Sequence, residues 1–270
     1  MRPSRVSAKR ISAKRLIASG LLVALCGAAA FVSAAEIPAS ERRSGSTFMS
    51  RETRAMQEDD TSNPGMLSVL DGEALWKQKA GAAGKACADC HGDAGMRGVA
   101  PRYPTYDEER KRPVDLPQRI NICREEKQAA TRFAFESKEL LALTAYVANQ
   151  SRGMPIAAPD DPRLAPFRER GRLLFNRRQG QLNLACTNCH DDNWGKPLAG
   201  NPIPQAHPTG YPIYRLEWQS LGSLQRRFRN CMIGVRAEPY AYGSDEFVDL
   251  ELYLMSRANG MAIETPAVRP

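Results

Sequence analysis

The feature that most constrains this chain is the pattern Cys-x-x-Cys-His, which occurs at Cys87–His91 and again at Cys186–His190. This spacing is typical of covalent haem attachment, in which two thiols form thioethers with one porphyrin and the histidine ligates iron. Zinc binding would need further ligands near each motif, and the chain has only 3 histidines. A thioredoxin-like redox pair does not explain a histidine after both copies. The pattern predicts two covalently bound haem c groups, attached through Cys87, Cys90, Cys186 and Cys189 and ligated by His91 and His190.

Other parts of the sequence repeat with nearly the same spacing as the two motifs. A Gly-x-x-Leu-aromatic pattern occurs at 72–76 and, 99 positions later, at 171–175. A Leu-x-x-Tyr pattern occurs at 143–146 and, 107 positions later, at 250–253, within segments that have the apolar spacing of amphipathic helices. We therefore expect a mostly α fold with two cytochrome c-like haem domains in tandem. Each domain should comprise a helix ending at the haem motif, a loop-rich middle and a closing helix.

The first 35 residues have the composition of a secretory signal peptide. Six basic residues and no acidic one precede an apolar run from Leu16 to Phe31, and the small residues Ser33, Ala34 and Ala35 follow. An uncleaved membrane anchor is the alternative, and no later segment has the roughly 18 apolar residues that a membrane span requires. The pattern predicts export to the periplasm without a stable membrane span.

Most of the excess positive charge lies in that leader. The whole chain has 38 basic and 30 acidic residues, and removal of the leader leaves 32 basic residues against the same 30 acidic ones. These charges are interspersed along the rest of the chain and form no basic stripe. The net charge of +8 therefore does not indicate nucleic-acid binding.

The remaining chain divides into an arm and two domains. Residues 36–64 are polar, and composition alone favours a flexible N-terminal arm, although Ser50 could cap a short helix from Arg51 to Gln57. The first cytochrome c-like domain is predicted at 65–157 and the second, catalytic one at 158–270. Spaced prolines between 155 and 166 mark the joint.

Two further cysteines, Cys123 and Cys231, occupy equivalent positions 108 residues apart, and each follows an arginine by four residues. A disulfide between them is one interpretation for an exported protein. Histidine–methionine ligation is another, since Met154 and Met261 also occur at matching places, whereas His207 is the only histidine outside the motifs. Equivalent positions in a duplicated pair favour a third interpretation, in which each thiolate ligates the iron of its own domain. The predicted axial pairs are then His91 with Cys123 and His190 with Cys231.

Taken together, these motifs resemble those of the dihaem SoxA cytochromes of the thiosulfate-oxidising Sox system. The resemblance rests on two Cys-x-x-Cys-His motifs, each followed by an Arg-x-x-x-Cys element, and on the stretches 44–57 and 63–66, which are similar to the family's N-terminal arm. It covers essentially the whole chain after the leader. The resemblance implies an arm ordered against the body, and it implies an L-cysteine S-thiosulfotransferase. Such an enzyme works with the monohaem subunit SoxX and joins thiosulfate oxidatively to a cysteine of the carrier protein SoxYZ.

The resemblance also assigns roles to individual residues. Cys231 matches the family's distal ligand of the second haem and its catalytic sulfur, carried as a persulfide, and Arg227 matches the residue that binds the anionic substrate. The surrounding charges agree, because arginines flank Cys231 with no acidic residue before Glu238, whereas two glutamates follow Cys123 almost directly. The alternatives are a dihaem electron carrier without catalysis of its own and, on weaker grounds, a dihaem peroxidase. The basic residues near Cys231 are Arg226, Arg227, Arg229 and Arg236.

Overall fold

Each half of the chain contains the same series of elements: a long helix, a short helix with the haem motif, a β-hairpin, a middle helix and a closing helix. The computed structural model describes residues 37–92 and 95–270, so the predicted signal peptide lies outside the described residues. In chain order, the arm and first half contain α1 (Arg51–Glu58), α2 (Gly65–Lys77), α3 (Ala88–His91), β1 (Thr105–Asp107), β2 (Arg112–Val114), α4 (Leu116–Gln128) and α5 (Lys138–Asn149). The second half contains α6 (Ala165–Asn176), α7 (Cys186–His190), β3 (Pro197–Leu198), β4 (Asn201–Pro202), β5 (Ile213–Arg215), β6 (Ser220–Gly222), α8 (Leu224–Gly234), α9 (Asp245–Arg257) and β7 (Ala267–Arg269).

The first and last helices of each half cross at a glycine. A Cβ atom on Gly72 would lie 2.1 Å from the carbonyl oxygen of Ala142 on α5, and one on Gly171 would lie 2.0 Å from that of Asp249 on α9. Only glycine lets the two backbones approach so closely. One turn after each glycine, the aromatic residue of the repeated pattern enters the core, with Trp76 4% and Phe175 1% exposed. The repeated pattern is therefore the sequence of a helix crossing.

The mostly α fold with two cytochrome c domains is confirmed, but two details of the prediction are wrong and a third is incomplete. The first helix of each half stops before the haem motif, which has a short helix of its own. The middle is rich in loops as expected, but it also contains regular elements that were not predicted, since a hairpin leads into α4 in the first half and α8 in the second. Helix α5 is not amphipathic: every residue from Leu140 to Ala148 is buried, since the second half covers the face that a separate domain would expose.

The two halves are joined by both apolar and polar contacts. Leu221 on β6 belongs to the hydrophobic core of the first half. The buried Asp115, which caps α4, accepts a hydrogen bond of 2.7 Å from Nε2 of Gln225 on α8. Gln225 in turn accepts from the backbone N–H of Gly243 at 2.7 Å, and the side chain of Gln118 donates to the carbonyl of Gly243 at 3.0 Å. The middle helices of the two halves are thus part of one hydrogen-bonded network.

The N-terminal arm is ordered along the second half. Ser50 caps α1 by accepting from the N–H of Thr53 at 3.2 Å. Strand β7, which pairs in parallel with β5, donates the N–H of Val268 to the side chain of Gln57 at 3.2 Å. Composition favoured a flexible segment because the arm contains few apolar residues, and these long-range hydrogen bonds hold it instead. Across residues 37–92 and 95–270, none of the helices has the length and apolar character needed to cross a membrane.

We expect Gly171→Ala to lower the free energy of unfolding by about 1–3 kcal/mol, because the new methyl group would force α6 and α9 apart. Denaturant unfolding followed by circular dichroism measures this change. Gly234→Ala is the matched control: Gly234 also lies in a helix, but no atom lies within 4 Å of the position that its Cβ would take, so stability should be unchanged or slightly higher. Equal unfolding midpoints for Gly171→Ala and the unmodified protein would contradict the crossing argument.

Candidate functional site

In the second half, helix α7 presents the histidine of the haem motif with one ring nitrogen already engaged. Nδ1 of His190 lies 2.6 Å from the carbonyl oxygen of Pro204. A carbonyl can only accept, so Nδ1 is the donor in this hydrogen bond. The imidazole also forms a hydrogen bond with the thiol of Cys231. Nitrogen and sulfur donors from two different helices therefore face each other, with the histidine oriented by a backbone acceptor as metal-ligating histidines usually are.

Helix α8 supplies the sulfur and an arginine from the same face. The helix starts after Ser223, whose hydroxyl accepts from the N–H of Arg226 at 3.0 Å. Arg227 and Cys231 are then one turn apart. Burial alone would raise the pKa of the Cys231 thiol, but the hydrogen bond to His190 and the charges of Arg227 and Arg215 lower it to about 7. At neutral pH a large share of this sulfur is therefore the nucleophilic thiolate.

Sequence reasoning missed Arg215, the last residue of strand β5. Its side chain is 13% exposed, and its Nε atom is buried without a hydrogen-bond partner in the described part of the chain. The signal that could have revealed it is the 108-residue offset, which places Arg215 where the first half has Asp107.

The other arginines of the predicted cluster have different surroundings. The guanidinium of Arg226 lies over the ring of Trp218 at 4.3 Å, and that of Arg229 lies over Tyr242 at 4.8 Å and donates to the carbonyl of Tyr240. Arg236 follows the helix and is exposed. The cationic environment of Cys231 thus comes from Arg227 and Arg215.

The first half repeats the arrangement with opposite electrostatics. Cys123 on α4 lies near Cys87 and Cys90 and has its pKa raised, chiefly by burial, an effect that Arg119 does not overcome. Nη2 of Arg119 is 2.6 Å from a carboxylate oxygen of the buried Asp107, whose pKa lies below its ordinary value because the N–H of Arg110 and the charge of Arg119 outweigh burial. The arginine next to this sulfur is already neutralised, so the site attracts anions less than its counterpart.

The remaining candidate ligands lie elsewhere. All six cysteines of the described residues are free, so Cys123 and Cys231 form no disulfide, and each lies beside the motif of its own half. His207 is buried, and its Nδ1 donates to the carbonyl of Arg43 at 2.9 Å, which fastens the arm. Met96 and Met232 pack against the two hydrophobic cores, and Met261 packs against a third apolar cluster.

A buried ion pair supports the second motif. Asp191 directly follows His190, and its carboxylate lies 2.5 Å from Nη2 of Arg257 at the end of α9; the two side chains are 5% and 2% exposed. The same guanidinium lies 4.6 Å from the ring centre of Phe175, which in turn stacks on His190. The pair links the motif helix to the closing helix. The first half has Gly92 and Gln150 at the corresponding positions, so this connection is particular to the second half.

These donor sets fit haem c: each half has two unpaired thiols beside a histidine, and in the second half a further thiol faces that histidine. The fold and the motifs together define a c-type cytochrome. The family model described as SoxA/TsdA, cytochrome c domain, matches residues 71–156 and 170–263. The chain belongs to this family, as its motifs predicted.

Individual relatives agree over most of the chain. The L-cysteine S-thiosulfotransferase subunit SoxA of Pseudaminobacter salicylatoxidans is 40% identical over 235 residues, which is 86% of this chain and 82% of the relative. The subunit of the same name from Rhodovulum sulfidophilum is 39% identical over 85% of this chain and 80% of its own length. The crystal structure of SoxXA from P. pantotrophus superposes with a TM-score of 0.82 at 33% identity, covering 85% of this chain and 87% of that one.

Removing the carboxylate of the buried pair should be costly. We expect Asp191→Ala to lower the free energy of unfolding by about 3–5 kcal/mol, because Arg257 would stay buried without a counter-charge. Denaturant titration of the haem-loaded protein measures the loss. Glu169→Ala is the control. Glu169 pairs with Arg172 at 2.7 Å on the surface, so this substitution should lower the free energy of unfolding by less than about 1 kcal/mol. The double variant Asp191→Leu/Arg257→Met should recover much of the stability, and equal losses for Asp191→Ala and Glu169→Ala would contradict this account.

Proposed function

We propose that this chain catalyses the oxidative conjugation of thiosulfate to a cysteine of the sulfur-carrier protein SoxYZ, in a heterodimer with the monohaem subunit SoxX. The names of its relatives and its similarity to a SoxXA structure support this reaction and this assembly. The observation that carries the proposal is the second-half site, where a thiol of lowered pKa faces a histidine and has two arginines nearby.

The residues that would hold haem follow from the donor sets. Two haem c groups would be attached, each through the cysteine pair of one motif, and a histidine and a cysteine would hold each iron. When bound, the haem supplies a one-electron acceptor next to the reacting sulfur, and a thiolate ligand stabilises its ferric state. The attachment pairs would be Cys87 with Cys90 and Cys186 with Cys189, and the residues that would hold iron are His91 with Cys123 and His190 with Cys231.

The chain's own residues would bind the substrate and provide the sulfur. Thiosulfate is a dianion, and the guanidinium of Arg227 would hold its sulfonate oxygens beside Cys231. The sulfur of Cys231, carried as a persulfide, would be the covalent site of transfer. Overall, a carrier thiol and thiosulfate form the carrier S-thiosulfonate, and one proton and two electrons are released. The site is cationic, which concentrates the dianion and stabilises negative charge as the sulfur–sulfur bond forms.

Export and haem content can be tested together. We expect the mature protein purified from the periplasm to begin near Ala34 or Ala35 and to have the mass of the polypeptide plus two haems, because both motifs are complete. Intact-mass spectrometry measures both quantities. Cys87→Ala/Cys90→Ala should leave one haem, and an unmodified protein with the mass of a single haem would contradict the proposal.

Catalysis should depend on Cys231 and Arg227. We expect Cys231→Ser to abolish thiosulfate-dependent loading of the carrier while haem remains covalently attached, because the thioethers come from other cysteines. Arg227→Ala should slow loading by roughly 10²- to 10³-fold, as for loss of a charge-stabilising donor in a transition state, and Arg227→Lys should restore part of the rate. Loading is measured by the mass of the carrier, and electron paramagnetic resonance reports the haem ligands.

Cys123→Met is the matched control for Cys231. It should change the spectrum of the first haem and leave much of the loading rate, since Arg119 beside it is neutralised by Asp107. Normal loading by the Cys231→Ser protein would overturn the proposed reaction and favour a dihaem electron carrier. A loss with Cys123→Met as complete as with Cys231→Ser would show that the two sites have been assigned wrongly.

A further inference from the structure

We infer that Arg215 is a second substrate-binding residue, which together with Arg227 forms a two-arginine receptor for the sulfonate end of a dianionic thiosulfonate-type substrate. The inference rests on the proposed function and adds a residue to the same site. It depends on two observations: the replacement of an acidic residue by Arg215 at equivalent positions of the two halves, and the surroundings of the Arg215 side chain.

The charge exchange is visible when the two hairpins are compared. In the first half, β1 ends at Asp107, which binds Arg119 at 2.6 Å. In the second half, β5 ends at Arg215, the equivalent position, near Arg227. An ion pair in one half thus corresponds to two arginines in the other. Within residues 37–92 and 95–270, no ion pair or side-chain hydrogen bond engages the Arg227 guanidinium, and the carboxylate that acts on its pKa belongs to Glu217, which is 64% exposed.

The Arg215 side chain is held in place yet keeps hydrogen-bonding capacity. Its Nη2 lies 3.0 Å from Glu217, but Glu217 is 64% exposed, so this pair is weak and easily exchanged. The guanidinium lies 5.2 Å from the ring centre of Trp218, which restricts its position. Nε remains buried without a partner in the described part of the chain, and an unsatisfied buried donor is costly unless a ligand completes it. A tetrahedral oxoanion has several acceptor oxygens that fit a guanidinium fork.

The two arginines lie close enough to act on each other. Burial and the nearby charge of Arg227 lower the pKa of Arg215. Two like charges in a half-buried site repel until an anion binds between them. A dianion neutralises both, whereas a monoanion leaves one charge unbalanced. The pair should therefore select dianions such as thiosulfate over monoanionic thiosulfonates.

The test compares single charge removals in the haem-loaded protein with its partner subunit and carrier. We expect Arg215→Gln to raise KM for thiosulfate by roughly 10- to 100-fold, as for loss of a charged hydrogen bond, and to leave the electron paramagnetic resonance signal of the second haem unchanged. Arg215→Asp should abolish loading, because the new carboxylate would bind Arg227 as Asp107 binds Arg119. Arg215→Lys should have a KM for thiosulfate between that of Arg215→Gln and that of the unmodified protein.

The matched control is Arg226→Gln, which removes the same charge from a residue that also lies over Trp218. It should change KM less than about threefold, since Arg226 lies near the Glu136 carboxylate at 4.0 Å and exposed or half-exposed ion pairs contribute little. Selectivity gives a second readout. Between the unmodified and the Arg215→Gln enzyme, the inhibition constant of methanethiosulfonate, a monoanion, should rise less than KM for thiosulfate does.

The outcomes separate this inference from the proposed function. An unchanged KM in Arg215→Gln, together with loss of loading in Arg227→Ala, would overturn the role of Arg215 and leave the reaction standing. An equal rise in KM in Arg226→Gln would also overturn it, since the effect would then be general charge. Undiminished loading in both Arg227→Ala and Cys231→Ser would overturn the proposed function itself.

Discussion

The close crossing of the first and last helices is the constraint on which each half depends. The backbones meet at Gly72 and at Gly171, where a methyl group would lie about 2 Å from a carbonyl oxygen of the partner helix. That contact fixes the closing helix relative to the start of the domain. It also places Trp76 and Phe175 against the histidine of each motif, with ring centroids 5.7 and 6.5 Å apart. Helix packing therefore sets the position of the two motif histidines, which are the proposed iron ligands.

On this shared frame the two halves differ mainly in charge. Both contain a hairpin, a capped helix and a cysteine four residues after an arginine. The first half closes its arginine with Asp107, whereas the second has Arg215 at that position and reinforces its motif with the buried pair of Asp191 and Arg257. A duplicated scaffold can thus have one site in which a buried carboxylate balances the arginine and another in which two arginines share an exposed glutamate. The difference needs only a few substitutions because the backbone positions are the same.

The two domains and their motifs could be predicted from sequence because covalent haem attachment has a strict local spacing. Cys123 and Cys231 were proposed as a pair from their separation of 108 residues, which depends on the duplication and not on local pattern. Helix α4 was missed because its polar sequence has little apolar periodicity, and its stability comes from the capping box of Asp115 and Gln118 and from packing. Arg215 was missed because it is distant in sequence from Cys231, and only the hairpin brings it near. The order of the arm depends on long-range hydrogen bonds that composition does not reveal.

The network between the middle helices has a consequence for how such a chain can evolve. Asp115 of the first half is completed by Gln225 of the second, and Leu221 of the second half fills the core of the first. A substitution at one of these positions exposes or unpairs a group in the other half, so compensating changes must arise across the duplication. The first half would then be retained as a mechanical support even in a lineage that no longer used its redox centre. Selection on the reacting half alone would preserve the sequence of both.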